Sequence, residues 1–455
     1  MISTANPLLL MFFHVHQCVE EAFSTCLLFW GKLKTLTAEV WRGFHALSSL
    51  GGNIMATIRP KSHTPWASGD EMGPILTYLI QTCLLDGIVD PNWRVYDLSV
   101  TNRDKTGQQV VLDFCADLAQ QGVGGKEPTI TPNPERVREF GLSSNFGSPN
   151  AILRKAIEGR LIARQIIMPS ALTPRLSTLT QPMLVLRLAV GGNYGSPGMV
   201  IPCAGTVRAQ FTPEDGQDFP IQSFEIPFPG PGALGTMVNT DEEISTFAGL
   251  AAEYHQDLNP EGALWASSKE TITKPFDQHF KDCVLGTLSS LGLNADWYLW
   301  DDLLQAIPKS TGGQSLIVQN PNGDAVADLI SSLYFGLAMQ DSVLIGPKGK
   351  LFDPPGGTVT RHYRVFVDNG RDLSTVTTNP VSQVVAIGRA LAERGRIDGD
   401  DNVIHAGDAI VQSIVEAINS GYLTKDLAML ADVDDFVSCA ELLQQARKIL
   451  VGKLS

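Results

Sequence analysis

The chain has 455 residues, 44% of them apolar and 18% charged, and a formal net charge of −14. That length exceeds what one ordinary hydrophobic core supports, so two or more domains are expected of a folded, globular chain. The acidic surplus excludes a nucleic-acid binder, which needs basic groups to neutralise phosphates.

Residues 1–54 differ in pattern from the rest of the chain. The apolar run at 8–13 is too brief to span a bilayer, and no basic start or small-residue cleavage site marks a secretory signal. Lys32, Lys34 and Arg42 in an amphipathic pattern over 22–50 hint at a mitochondrial presequence, while Glu20, Glu21 and Glu39 weigh against it. The expectation is an upstream extension with Met55 as the ordinary start, no membrane partner, and a cytoplasmic or mitochondrial location. Seven scattered cysteines without a C-x-x-C pair suit a reducing compartment and argue against a zinc site or a disulfide framework. Only His362 of the eight histidines falls in a recognisable motif, so a His-ligated metal is not expected.

From Pro65 the pattern is regular. Gly69-Asp70-Glu71-Met72 opens a helix through Leu85, WRVYDLSV reads as a strand, and 106–121 as a second helix. VGGKEPTITP is a strand running into a loop. Ser148-Pro149-Asn150 is a helix start, with Ser148 as cap and Pro149 at the first helical position. LIARQII and MLVLRLAV read as short buried strands. Residues 192–242, dense in Gly and Pro with alternating TVRAQF and IQSFEI, read as a β-hairpin insertion better suited to clasping a second subunit than to forming a domain. Helices are predicted at 241–257, 274–291, 298–307, 324–338, 380–394, 403–420 and 434–449, with SLIVQN as a strand and a Gly-rich loop at 356–362. Alternating strands and helices favour an α/β fold with a parallel or mixed sheet.

Three arginines carry the first chemical signal. Arg154 is four residues from Asn150 on one helix face, while Arg164 and Arg187 sit within the two apolar strands. A buried strand arginine is costly unless it meets an anion, and guanidinium groups fork onto carboxylates. Asp324 and Asp328 are also four apart, a repulsive spacing that a divalent cation such as magnesium or manganese would relieve, and Asp301 is a further acidic candidate. Gly356-Gly357-Thr358-Val359-Thr360-Arg361-His362 is a glycine-rich turn leading into cations, fit for a phosphate, although it is neither a G-x-G-x-x-G fingerprint nor a P-loop.

Taken with Thr378-Asn379-Pro380, with Gly421-Tyr422-Leu423-Thr424-Lys425-Asp426-Leu427, and with GDEM, TITP, SPNAILR, the 187–194 segment, SSKETI and NGDAVAD, the TVTRHYR motif closely resembles the NADP-dependent isocitrate dehydrogenases of the eukaryotic dimeric type. The motifs are colinear from about Pro65 to near the C-terminus. The resemblance implies an isocitrate/isopropylmalate dehydrogenase-like α/β fold. Its large domain would span 55–158 and 335–455, its small domain 159–191 and 243–334, and a β-rich clasp insertion 192–242. It implies Thr131, Ser148, Asn150, Arg154, Arg164 and Arg187 as isocitrate contacts, Tyr194 and Lys269 as the catalytic acid–base pair, and Asp301, Asp324 and Asp328 as ligands of Mg2+ or Mn2+. It implies NADP contacts from Lys126, Thr129, Thr131, Arg136, Lys309, Gly357, Thr358, Val359, Thr360, Arg361, His362 and Asn379, with Arg361 and His362 near the 2′-phosphate. It further implies a homodimer with shared active sites, Lys269 and Asp301 reaching in from the second subunit.

The chain departs from that pattern at a shortened run Asp353-Pro354-Pro355-Gly356, at Leu188 where the family has His, and at Ser68 where Asp precedes GDEM. Two alternatives stay open: a sister enzyme acting on another 2-hydroxy acid, which Ser148 with Asn150 opposes, and a catalytically impaired paralogue, which the altered 353–356 run favours.

Overall fold

The computed structural model describes residues 57–455 apart from 195 and 215–222. The expectations for residues 1–54 lie outside the described residues.

Strand β1 (Thr64–Ser68) turns through Gly69-Asp70-Glu71 into helix α1 (Met72–Ile80), which continues as a wider π-type turn over Gln81–Leu85. Then come β2 (Trp93–Asp97), α2 (Val100–Lys105), α3 (Gln109–Gln121), β3 (Val123–Lys126), α4 (Pro134–Phe140) and α5 (Asn150–Ala156). Strands β4 (Leu161–Ile166) and β5 (Leu184–Leu188) precede four short strands, β6 (Gly198–Ile201), β7 (Gly205–Gln210), β8 (Ser223–Phe228) and β9 (Gly232–Gly235). The chain goes on through α6 (Asp241–Leu258), β10 (Leu264–Ser268), α7 (Lys274–Ser290), β11 (Asp296–Leu299), α8 (Trp300–Ala306), β12 (Ser315–Val318) and α9 (Asn320–Tyr334). It closes with β13 (Gln340–Gly346), β14 (Gly349–Phe352), α10 (Thr360–Asp368), α11 (Val381–Asp398), α12 (Asp401–Asn419), α13 (Lys425–Leu430) and α14 (Cys439–Leu454).

Ten strands form one sheet in the order β11-β10-β12-β5-β4-β13-β14-β3-β1-β2. Its two wings, β11-β10-β12-β5 and β14-β3-β1-β2, are parallel, and the seam β5-β4-β13-β14 is antiparallel. Parallel neighbours need helical crossovers, which explains why helices separate the wing strands while a tight turn joins β13 to β14. The 192–242 stretch stands apart as two antiparallel ribbons, β6 with β9 and β7 with β8, and leaves Met199, Val200 and Phe224 exposed. This is the α/β fold with a β-rich insertion that the sequence implies.

Several boundaries differ from the periodicity reading. The helix predicted at 324 begins at Asn320, because Pro321 suits a first helical turn and Gly323 can lie against β5. Tyr298 and Leu299 belong to β11 rather than to the following helix. The loop predicted through 362 ends at Val359, which takes a left-handed φ of 54°, so Arg361 and His362 lie in the first turn of α10. Helix α5 starts one residue later than predicted, though the Ser148 hydroxyl still accepts the Asn150 N–H at 3.3 Å. Helix α11 is buried along nearly its whole length and serves two neighbouring cores, which is why its amphipathic signal is weak.

Candidate active site

The register of β4 against β5 assembles the anion-binding cluster. Ile162 lies opposite Arg187, and Arg164, two residues further along β4, projects from the same face. Helix α9 follows directly on β12, the other neighbour of β5, and carries Asn320, Asp324 and Asp328 at four-residue spacing toward these arginines. Such close approach demands Gly323, where an added Cβ would stand 2.6 Å from Cγ of Arg187.

Arg187 is 1% exposed. Its Nε and Nη2 donate to Oδ1 of Asn320 at 3.0 and 2.7 Å, and Nη1 donates to Oδ1 of Asp324. Arg164 donates from Nη1 to Asp328 at 3.1 Å and faces Asp324 at 3.7 Å, while its buried Nε has no hydrogen-bond partner. Burial pushes Arg187 down to about 10 and lowers Arg154 as well, so the cluster holds its positive charge against a desolvation cost. A bound anion would repay part of it. Tyr194, on the turn after β5, is 42% exposed and donates its hydroxyl to Oδ2 of Asp324 at 3.2 Å. The guanidinium groups of Arg154 and Arg187 each stand 5.6 Å from its ring centroid. Arg154, Arg164, Arg187, Tyr194, Asp324 and Asp328 are therefore brought together.

Lys269 and Asp301 form a separate pair. Lys269 follows β10, Asp301 opens α8, and Nζ donates to Oδ2, with the side chains 31% and 58% exposed. Among the described residues no hydrogen bond or ion pair joins them to the arginine cluster within one chain. Lys309, at the end of a short turn after α8, is exposed.

The residues assigned to cofactor meet around Glu71. This residue sits at a left-handed φ of 55° before α1 and accepts from the hydroxyls of Thr358 and Thr360, the latter at 2.6 Å. Arg136 on α4 reaches Glu71 at 3.1 Å and Thr360 at 2.7 Å. His362 Nδ1 lies 2.9 Å from the Thr378 hydroxyl, and burial, then Arg361, holds its imidazole below the usual value. Arg361 is exposed and makes no ion pair among the described residues. Gly357 is exposed in the loop before α10, whose first amides point toward that loop. Asn379 instead donates to Asp426 at 3.1 Å and accepts from the Val381 N–H, and Lys126 is buried against Asp353 at 3.7 Å and the Glu127 carbonyl. Thr129 is partly buried and Thr131 exposed, flanking Ile130, whose N–H binds Asp70 at 2.8 Å.

Three supporting residues escape a sequence reading. Asn320 orients Arg187. Glu127, buried, accepts from Trp66, Ser68, Gly69 and Thr77 and ties β1 to α1. Asp70 accepts the Val100 and Ile130 amides, and burial pushes it up to about 6. Only Asn320 carried a signal, its four-residue spacing from Asp324. Asp241, His279 and Cys283, a set the sequence does not single out, form a candidate metal-binding cluster, their ligand atoms all within 4.8 Å of one another. His279 and Cys283 are four apart along the chain, but Asp241 is distant in sequence and is brought in only by packing of α6 on α7.

Among the described residues no helix is long and apolar enough to cross a membrane, and Cys83, Cys115, Cys203, Cys283 and Cys439 are free thiols. Residues 68–446 match the isocitrate/isopropylmalate dehydrogenase family. The chain is 34% identical over 376 residues to the peroxisomal NADP isocitrate dehydrogenase of Candida tropicalis, a match covering 79% of this chain and 89% of that one. It is 35% identical over 372 residues to the mitochondrial NADP isocitrate dehydrogenase of Mus musculus, covering 79% and 80%. The crystal structure of isocitrate dehydrogenase from Ostreococcus tauri, in complex with isocitrate and magnesium(II), shares the fold with a TM-score of 0.75, at 21% identity over 86% of this chain and 100% of that one.

Proposed function

The chain belongs to the isocitrate/isopropylmalate dehydrogenase family, and on that premise we propose that it oxidatively decarboxylates isocitrate to 2-oxoglutarate and carbon dioxide, with NADP as hydride acceptor. The observation that carries the reading is the meeting of Arg154 and Arg187 over the Tyr194 ring with Arg164 beside them on Asp324 and Asp328. Three guanidinium groups suit a tricarboxylate, each charge-assisted hydrogen bond contributing roughly 1.5–3 kcal/mol.

The two α9 carboxylates fit a hard divalent cation, which takes oxygen ligands and keeps waters. Mg2+ or Mn2+ held by Asp324 and Asp328, with Asp301 of the partner subunit, would supply positive charge for the substrate's hydroxyl and carbonyl oxygens. The chain's own groups do the rest. The arginines orient the carboxylates and exclude water from the buried side. Lys269 of the partner subunit takes the hydroxyl proton as the hydride leaves. Tyr194, its ring flanked by two cations, gives its phenolic proton to the carbon from which carbon dioxide departs. Arg361 and His362 at the start of α10 receive the 2′-phosphate.

A dimer is part of this reading: among the described residues Lys269 pairs with Asp301, and neither bonds to Tyr194 or the arginines of its own chain. The exposed Met199, Val200 and Phe224 on the ribbons support a second copy packed there. A cytoplasmic or mitochondrial setting accords with free cysteines. The second reading, a catalytically impaired paralogue, is favoured by the engagement of Lys126 with Asp353 in the shortened run.

The test is NADPH formation from isocitrate with Mg2+, followed by absorbance, alongside NAD, homoisocitrate and isopropylmalate. Turnover with isocitrate and NADP alone is expected. Preference for another acid would select the sister enzyme, and no turnover with any would select the paralogue.

A further inference from the structure

We propose that Asp241, His279 and Cys283 form a surface site for a zinc-class divalent cation, clamping the first turn of α6 to α7. Its ligand set shares no residue with the aspartates assigned to the reaction. His279 and Cys283 are four apart on α7 and so leave one face of it. Asp241 is the first residue of α6, where Thr240 and Glu243 cap each other's amides at 3.2 and 3.0 Å, so the backbone is fixed while the Asp241 carboxylate takes no part in the cap. Behind the site α6 and α7 are locked by stacking of Phe247 on Phe280, centroids 6.4 Å apart. The ligand-bearing backbones are thus held in place before any ion arrives.

The distances suit a tetrahedral ion. Zinc bonds of about 2.3 Å to sulfur and about 2.0 Å to nitrogen set an S···N edge of roughly 3.5 Å and an N···O edge of roughly 3.3 Å. Cys283 Sγ stands 3.7 Å from His279 Nε2, close to that edge. Asp241 Oδ1 is hydrogen-bonded to the same nitrogen at 2.6 Å, so it must withdraw by roughly 0.7 Å to reach the zinc edge. Its side chain is 76% exposed, so the shift needs only a rotation in solvent. One sulfur, one nitrogen and one oxygen, with a fourth place open to water, select a borderline-soft ion over Mg2+ or Mn2+, which favour all-oxygen sets. Binding releases the thiol proton to solvent and leaves thiolate on the ion.

The probe is Co2+ titrated into the full chain in excess Mg2+. One cobalt per chain should bring the visible bands of a tetrahedral ion and a sulfur-to-cobalt charge-transfer band, both bleached by Zn2+. Cys283→Ser should lose the sulfur band and Cys203→Ser should keep it. His279→Gln, at a solvent-exposed position that does not threaten folding, should lose the tetrahedral bands. Zn2+ should raise the thermal midpoint of the natural chain and not that of Cys283→Ser. Absence of the sulfur band from the natural chain, or its persistence in Cys283→Ser, overturns the proposal. Cobalt at the all-oxygen aspartate site gives no such band, so it cannot imitate the result.

Discussion

Arg187 with Asp324 and Lys269 with Asp301 are chemically alike and physically opposite. Arg187 is sealed within the sheet, has its donors met by Asn320 and Asp324, and has a helix laid against it through Gly323. Lys269 and Asp301 sit in partial water at the ends of a strand and a helix. A buried guanidinium has to be compensated by the chain itself, so its neighbours are dictated; a solvated pair imposes nothing on the fold and is left for another task. The difference separates residues whose neighbours the fold dictates from residues that stay open to solvent.

The largest effect should come from removing the buried guanidinium. Arg187→Met strips the buried Asn320 Oδ1 of both its donors, while Asp324, 43% exposed, regains water. The substitution should lower unfolding free energy by roughly 3 kcal/mol, against under about 1 kcal/mol for Lys269→Met. Urea unfolding of both variants measures this, and equal losses would erase the contrast. Activity should divide differently. Tyr194→Phe should reduce kcat by roughly 10²–10⁴ with little change in stability; an unaltered kcat would refute its role as proton donor.

Mixing sharpens the point. If Lys269 serves the neighbouring subunit, unfolding and reassociating inactive Tyr194→Phe and Lys269→Met chains together should restore roughly a quarter of natural activity, because each mixed dimer holds one intact site. No recovery would place both residues in the same chain's site. Gly323→Ala sets a smaller effect: its methyl must push into Arg187, at a cost of roughly 1–3 kcal/mol and a raised KM for isocitrate. Unchanged stability and KM would show that α9 can back away freely.

The smallest effect concerns His362. Its imidazole is held below the usual value by burial and Arg361, so it is neutral in the folded chain near pH 7. Folding stability from this group is therefore present above about pH 6.5 and lost as pH falls through its folded value. Binding a 2′-phosphate favours the protonated form, so NADP affinity should strengthen by a few-fold as pH drops from about 7.5 to about 6. His362→Gln should flatten that slope in titrations of Kd against pH. A slope that survives the substitution would assign the proton elsewhere.

The α/β class, most helices and the strands at 161 and 184 were legible along the chain, because apolar periodicity and capping residues act over a few neighbours. So was the chemical inventory: three arginines, spaced aspartates, a tyrosine and a glycine-rich turn with cations. Which of these meet depended on how the elements pack. Register between β4 and β5 put Arg164 and Arg187 on one face, and the run from β12 into α9 delivered Asp324 to them across 137 residues of chain. The tertiary structure also showed Asn379 and Lys126 engaged with Asp426 and Asp353, and Asp241 brought to His279 by helix packing. Such contacts depend on sheet order and on the depth of burial, and neither leaves a mark at short range along the chain.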